Sequence, residues 1–571
     1  MSADTLKVDA KVDPITRQVI RNALTAAAKE MQTTLVKTAH NPLIYEVQDF
    51  GMVLTNRFGR MIAEGSGLPG FLACLPPTIQ SGLELTDFNE GDILLSNEPD
   101  DTGTHISDTV LYTPIFYEGD LVAFSAVMAH WADIGGMMPG GWCPNSVSLH
   151  QEGLIFSHNK LVDAGVPNRE LKRFILKNVR YPGLVEGDLN AKIAACQTGA
   201  RRYAALCERY GAETVEKAML ETFHLSEARM RGEIESIPDG TYSAEGFLDH
   251  DGVERNKRHK LAVTVMVTGD TMHIDWTGTD PVAKGPINHP LVGTAALCAT
   301  TLKSLTMPLD ATNDGHLRPL KVTAPPDTLV SASYPAPCDS YGYVAEVIVH
   351  LIVKALSQAI PERCPATTYQ MSAYTLSREG KNAFICGEPV DGGGGAFPFD
   401  DGPSGIMFAG NGDAPNTPIE VLETRYPMRF KQYSFNLENS GVGEYRGGYG
   451  VVREFEVLTD DVDLKTSTEN NRNPFWGLNG GGDAGVTTVT VNPCSEEEVI
   501  LRDRVDFFKL NAGDVVRLET ANGGGWGDPE KRDPTRIAQD IRNGFISLED
   551  AVDKYHQDKQ LLEQLIRKEP A

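Results

Sequence analysis

The chain has 571 residues, 41% hydrophobic and 23% charged, enough apolar content for a large core and more than one domain. Acidic residues number 78 against 52 basic ones, a formal net charge of -26. Counterion release cannot drive such a surface onto nucleic acid or an anionic membrane, so neither is expected as a partner.

Met1 to Val12 carries charge but no apolar run, so no signal peptide is expected. Asp13-Pro14 suits a helix start, an acidic N-cap followed by proline at the first helical position. Ile15, Val19, Ala23, Ala27, Met31 and Leu35 recur at helical spacing and predict one long buried stripe, ending before Asn41-Pro42. From Asp49 to about Ser157 short apolar runs alternate with Gly, Pro and Asp. Within them Val122, Phe124, Ala126 and Met128 alternate as one face of a strand.

A second helical segment is expected from about Asn190 to Glu235, closed by the turn Pro238-Asp239-Gly240. Lys260 to Met272 and Thr487 to Val491 read as strands, Val344 to Ala359 as a helix, and the segment from Asp533 as a polar helical tail. The glycine clusters at 392–395, 480–482 and 523–525 lack the Gly-Lys-Ser/Thr continuation of a P-loop. Gly480, Gly482 and Gly485 match Gly-x-Gly-x-x-Gly, but a strand-like run follows instead of a helix, so turns and bulges are expected there. No stretch is apolar for long enough to cross a bilayer.

Nine scattered cysteines without a Cys-x-x-Cys pair argue against disulfides and thiolate zinc, and favour a reducing, cytoplasmic setting. There is no Gly-x-Ser-x-Gly elbow, and Cys338, in Ala336-Pro337-Cys338-Asp339-Ser340, reads as structural. The chemistry concentrates instead in Gly103-Thr104-His105-Ile106-Ser107-Asp108 and Ala129-His130-Trp131-Ala132-Asp133. Imidazole nitrogens with an anionic oxygen are what a divalent transition metal needs. His105 and Asp108 would face opposite ways on a straight strand, so they converge only if 103–108 is a turn before a strand near Thr109. His130 continues the apolar face of its strand. The alternative reading makes His130 a backbone-satisfied core histidine and Asp108 a turn cap. Glu46 and Asp49 are acids between apolar neighbours, and His150-Gln151-Glu152-Gly153 supplies further polar residues or is simply a surface loop.

Glu46-x-x-Asp49-Phe50, Gly103-Thr104-His105-x-x-Asp108, Ala129-His130-x-x-Asp133-x-Gly135-Gly136 and Gln151-Glu152-Gly153 together resemble the hydantoinase B family. So do Gly187-Asp188-Leu189-x-Ala191, Gly443-x-Tyr445-Arg446-Gly447-Gly448 and Gly523-Gly524-Gly525-x-Gly527-Asp528-Pro529. The family includes the second subunits of N-methylhydantoinase and caprolactamase, and is similar to the C-terminal half of 5-oxoprolinase and the acetone carboxylase large subunit. Two departures are Glu98, where many relatives have Asp, and Cys196, where Asn is usual.

The resemblance implies a β-rich α+β fold with a long N-terminal helix. The expected domains, bounded near Glu235 and Pro529 by the chain's own turn and composition signals, are a metal-site domain over 1–235, a glycine-rich β-containing domain over 236–529 forming pocket and partner interface, and a helical tail over 530–571. The resemblance implies metal ligands at His105, Asp108 and His130, with Asp49 as a fourth and Glu46 as a nearby acid or base, so that Glu46, Asp49 and His130 form the catalytic set. Zinc is the first choice of metal, with manganese or iron as alternatives. A hydantoinase A-type ATPase partner, expected in an α2β2 heterotetramer, would bind ATP and Mg and phosphorylate the substrate oxygen. The expected activity is ATP-dependent opening of a lactam or hydantoin ring. The alternatives are an ATP-dependent ketone carboxylase subunit using bicarbonate and a non-catalytic assembly subunit with a structural metal. The last ranks lowest because structural zinc sites usually close with thiolates.

Overall fold

The computed structural model describes residues 11–412, 414–469, 471–501 and 504–567, so most of Met1 to Val12 lies outside the described residues. The fold is mixed and β-rich, opened by a long helix. It divides into two compact units. The first runs to Val349, apart from residues 246–250 and 255–259, which belong to the second with His350 onward. The division expected near Glu235 falls inside the first unit, and that near Pro529 inside the second.

In the first unit, helix α1 (Pro14–Thr38) starts where Asp13 accepts a hydrogen bond from Thr16 N, with Pro14 at the first turn. It buries Ile20, Leu24, Ala27, Met31 and Leu35, whereas Ile15 and Val19 are exposed. The stripe expected from Ile15 therefore fails at its start. A strict four-residue spacing drifts about 40° per step on a 3.6-residue helix, so five steps carry it to the opposite face.

Helices α2 (Pro42–Tyr45), α3 (Pro69–Leu85), α4 (Pro99–Thr102) and α5 (Arg169–Lys177) follow. The segment expected as one helix from Asn190 is two, α6 (Pro182–Tyr210) and α7 (Ala212–Glu235). It breaks at Gly211, whose φ of 81° is open to glycine and not to a helix. The sequence hides α3 because Pro76 and Pro77 lie inside it, residues that normally end a helix.

The site rests on a seven-stranded sheet with strand order β2-β1-β5-β4-β3-β6-β7. Its strands are β1 (Phe50–Asn56), β2 (Met61–Glu64), β3 (Ile93–Ser96), β4 (Asp108–Tyr117), β5 (Asp120–His130), β6 (Asn159–Asp163) and β7 (Val166–Pro167). Ala123, Val127 and Ala129 of β5 share a core with Met31 of α1 and Ala195 and Cys196 of α6. The Cys196 thiol points at the Leu111 carbonyl, 3.4 Å away. The opposite face meets α3, where a Cβ at Gly82 would lie 2.2 Å from the Tyr112 hydroxyl. Tyr112 and Asp108 alternate onto that same face of β4.

The second unit holds two antiparallel sheets. One is built from Ser372–Arg378, Phe384–Pro389, Val462–Thr468 and Val505–Leu510. The other is built from Met428–Asn436, Gly450–Val457, Thr488–Val491, Val499–Leu501 and Val515–Glu519. Tyr374, Leu376, Phe455, Leu464, Val516 and Leu518 share one core. The glycine clusters are mostly not turns. Of 392–395, 480–482 and 523–525, only Gly480 has a positive φ. The others let backbones touch: Gly448 N donates to Gly394 O at 2.8 Å, and Gly523 N to Gly448 O at 2.9 Å. A Cβ on Gly448 would sit 1.8 Å from Pro403 O, and one on Gly523 1.8 Å from Gly394 O.

Candidate metal centre

The end of the β4–β5 hairpin brings three ligand-bearing side chains together. Asp108 begins β4 and His130 ends β5, directly opposite each other in the antiparallel register. His105 arrives through the turn expected from the sequence. α4 is capped by left-handed Gly103, φ 73°, and Asp108 N donates to His105 O at 3.1 Å. Gly103 is required twice over, because a Cβ there would also lie 2.6 Å from Gly293 N.

His105 Nε2 lies 3.1 Å from Asp108 Oδ1 and 3.1 Å from His130 Nδ1, and His130 Nδ1 lies 3.0 Å from the same Asp108 oxygen. All three side chains are buried. Ligand atoms held about 2.0–2.1 Å from one ion lie about 2.9–3.4 Å apart between octahedral and tetrahedral angles, so this triangle fits a small divalent cation. The electrostatics agree. Burial alone would lower the His105 pKa, yet Asp108 and Asp339 hold it well above the usual histidine range. Burial would likewise raise Asp108, but His105 and His130 hold it below the usual carboxylate range. The cluster is built to hold positive charge, which a proton or a metal cation can supply.

The surroundings fix the ligands. His105 Nδ1 lies 2.9 Å from Asp339 O and 3.0 Å from Asp339 Oδ1, acceptors that hold its proton on Nδ1 and leave Nε2 for the centre. Tyr341 donates to Asp108 Oδ2 at 3.1 Å, leaving Oδ1 for the triangle. The Trp142 indole covers the histidines, with its centroid 4.9 Å from that of His105 and 6.3 Å from that of His130. It sits on a backbone with φ 52°, after two further positive-φ residues, Gly140 and Gly141. Behind the hairpin, buried Lys192 of α6 donates to Thr109 O and Ala129 O, each at 2.8 Å. Those carbonyls belong to the residues next to Asp108 and His130. Burial pushes the Lys192 pKa down to about 7.

Asp49 lies outside the tight triangle of His105, Asp108 and His130. It is next to the centre through its backbone, since His130 N donates to Asp49 O at 3.3 Å. Its side chain is half-buried by surface area, yet enclosed enough that desolvation dominates, and its pKa rises to about 6 against the pull of His130 and His105. Glu46 caps the end of α2, partly exposed. Asp133 is tied to Arg180, which donates from Nη1 at 3.1 Å, and supports the loop after His130. Of the surface loop expected over 150–153, His150 and Gln151 are exposed but lie in a 3-10 turn, Leu149–Gln151, and Glu152 is buried.

Sequence reasoning passes over Asp339, Tyr341, Trp142 and Lys192 as parts of the site, and has Glu152 only among the polar residues of 150–153. It reaches only the neighbourhood of Asp339, and for the sake of Cys338, whose buried thiol is held well above its usual range by burial and by Glu152.

Residues 13–529 match the family model described as hydantoinase B/oxoprolinase. The B subunit of a putative D-/L-hydantoinase from Pseudomonas sp. (strain NS671) is 32% identical over 570 residues, 95% of each chain. The beta chain of the Pseudomonas jessenii caprolactamase is 29% identical, again over 95% of each chain. The crystal structure of the ATP-dependent caprolactamase from Pseudomonas jessenii superposes with a TM-score of 0.89 at 28% identity, covering 97% of this chain and 99% of that one. Acetone carboxylase in its nucleotide-free structure matches with a TM-score of 0.88 at 18% identity, covering 98% of this chain and 84% of that one, a likeness of fold. With the family model covering nearly the whole chain and a relative above 30% identity along its length, this chain belongs to the hydantoinase B/oxoprolinase family.

Proposed function

We propose that this chain is the metal-binding subunit of an ATP-dependent cyclic amidase. It completes the opening of a lactam or hydantoin ring whose oxygen a hydantoinase A-type ATPase partner has phosphorylated. The observation that carries this reading is the buried triangle of His105 Nε2, Asp108 Oδ1 and His130 Nδ1 at 3.0–3.1 Å, in a chain whose relatives are named as hydantoinase and caprolactamase subunits. His105, Asp108 and His130 are the ligands of a divalent metal, zinc first, with manganese or iron as alternatives. Such an ion supplies Lewis-acid charge and lowers the pKa of water to about 7 in favourable sites.

The chain's own residues do the rest. Asp339 and Tyr341 orient the ligands, Lys192 pins the hairpin end that carries two of them, and Trp142 shields the histidines. Asp49 is a fourth ligand or a proton acceptor on the half-open side, and Glu46 is the next acid. Phosphorylation activates the ring carbon: one water adds there and the ring nitrogen leaves with a proton, opening the ring as an acyl phosphate. A second water then releases phosphate and leaves the carboxylate. The complex is an α2β2 heterotetramer acting in the cytoplasm, with ATP and Mg on the partner.

Substrate-dependent ATP turnover by the chain co-expressed with its ATPase partner tests this, across lactams, hydantoins and ketones with and without bicarbonate. Ring opening that requires ATP and both subunits is expected. Turnover only with a ketone plus bicarbonate assigns the carboxylase reaction instead.

A further inference from the structure

We infer that the Glu152 side chain is a positioning residue for the metal centre, acting on His105 through Asp339 without touching either histidine. This rests on the metal reading above. Glu152 Oε1 accepts three hydrogen bonds, from Ser146 Oγ at 2.7 Å, Cys338 N at 2.9 Å and Asp339 N at 3.1 Å. It thereby clamps the loop of Ser146 to that of Cys338 and Asp339, segments 186 and 187 residues from Glu152 in the chain.

Asp339, fixed at its own backbone nitrogen, holds His105 Nδ1 with its side chain, and its other oxygen accepts from Cys143 N at 2.5 Å. On its other side, the Glu152 backbone backs the loop leaving His130. A Cβ on Gly136 would lie 2.1 Å from Glu152 O, and Gly135 bridges to Gly153. One short segment thus supports the approach to His105 and the departure from His130.

Among the described residues, the hydrogen-bond partners of Glu152 are a hydroxyl, two amides and the Cys338 thiol, with no cation to neutralise it. A buried carboxyl held this way is a liability for stability that an apolar residue would not carry. Its return is geometric, because it fixes three donors at one point. Burial and the Asp339 charge push its pKa up to about 8, so a neutral amide is a close stand-in for it.

The test is cobalt binding by the full chain, read as the dissociation constant and the shape of the visible ligand-field band, in Glu152→Ala, Glu152→Gln and Asp339→Asn. Loss of an outer support of this kind weakens metal affinity about 10–100-fold. The expected result is that loss with an altered band in Glu152→Ala, and affinity within about threefold of wild type with an unaltered band in Glu152→Gln, by the same comparison. Asp339→Asn is expected to weaken binding about tenfold, because an amide cannot accept from both His105 and Cys143. It also carries the test if Glu152→Ala fails to fold.

Wild-type affinity and band in Glu152→Ala would overturn the inference while leaving the metal reading intact. So would a Glu152→Gln as weak as Glu152→Ala, or, where the alanine variant does not fold, an Asp339→Asn equal to wild type. A wild-type chain that binds no cobalt overturns the metal reading and this inference with it.

Discussion

The hairpin end in the first unit and the glycine block in the second are both backbone-dense and buried, and they are specified in opposite ways. At the hairpin end the ligand-bearing side chains are held largely by other side chains: Asp339 on His105, Tyr341 on Asp108, and Lys192 behind Thr109 and Ala129. In the glycine block the order comes from missing side chains, since Gly394, Gly448 and Gly523 hydrogen-bond through backbones that no Cβ could separate. The first design concentrates chemistry and holds it by replaceable contacts. The second supplies scaffold, and its tolerance to substitution is set by hard-sphere contact. Substitutions at the site should therefore cost function more than stability, and substitutions in the glycine block the reverse.

The sharpest break of that comparison is His130→Ala. Removing a ligand forfeits several kcal/mol of metal-assisted chemistry, about a 10³-fold loss of ring opening, while the unfolding midpoint in metal-free buffer moves little. Assay of turnover beside thermal unfolding checks both halves. Gly448→Ala comes next. Its Cβ, 1.8 Å from Pro403 O, should destabilise the fold by about 3 kcal/mol, with cobalt affinity of the folded fraction unchanged. Denaturant unfolding and cobalt titration separate the two effects, and lost cobalt affinity in the folded protein would erase the contrast between the two regions.

Acid should weaken metal binding. Because His105 is held well above its usual range, a proton competes for the site already at neutral pH. Affinity should then fall about tenfold for each unit of pH below that raised pKa. Calorimetric titration between pH 6 and 8 should show the slope, and a flat profile would contradict it. The smallest expected effect is Asp49→Asn, about tenfold in kcat/KM, since Asp49 stands outside the ligand triangle. Loss as large as that of His130→Ala would make Asp49 a ligand of equal rank.

What is legible in the sequence follows the same divide. His130 is readable from parity, because Val122, Phe124, Ala126 and Met128 share its face, and His105 meets Asp108 only because Gly103 opens the turn that the sequence made conditional. These are local rules. Asp339, Tyr341 and Glu152 obey no local rule at the site. Asp339 reaches His105 across 234 residues, and Glu152 reads as surface because its two predecessors are exposed. α3 is lost to Pro76 and Pro77, which the sheet and its packing tolerate despite the local cost. The glycine clusters read as turns because close backbone approach leaves the same composition as a turn. Only tertiary neighbours such as Pro403 and Gly394 distinguish the two.

At the centre stands the proposal that His105, Asp108 and His130 hold one divalent ion on which ring opening depends. The most direct test is elemental analysis of the chain purified with its ATPase partner, wild type beside His105→Ala. The expected result is about one divalent ion per chain in the wild type and close to none in the variant, with ring opening lost in step. Equal metal content in both proteins, or full ring opening by a metal-free wild type, would contradict it.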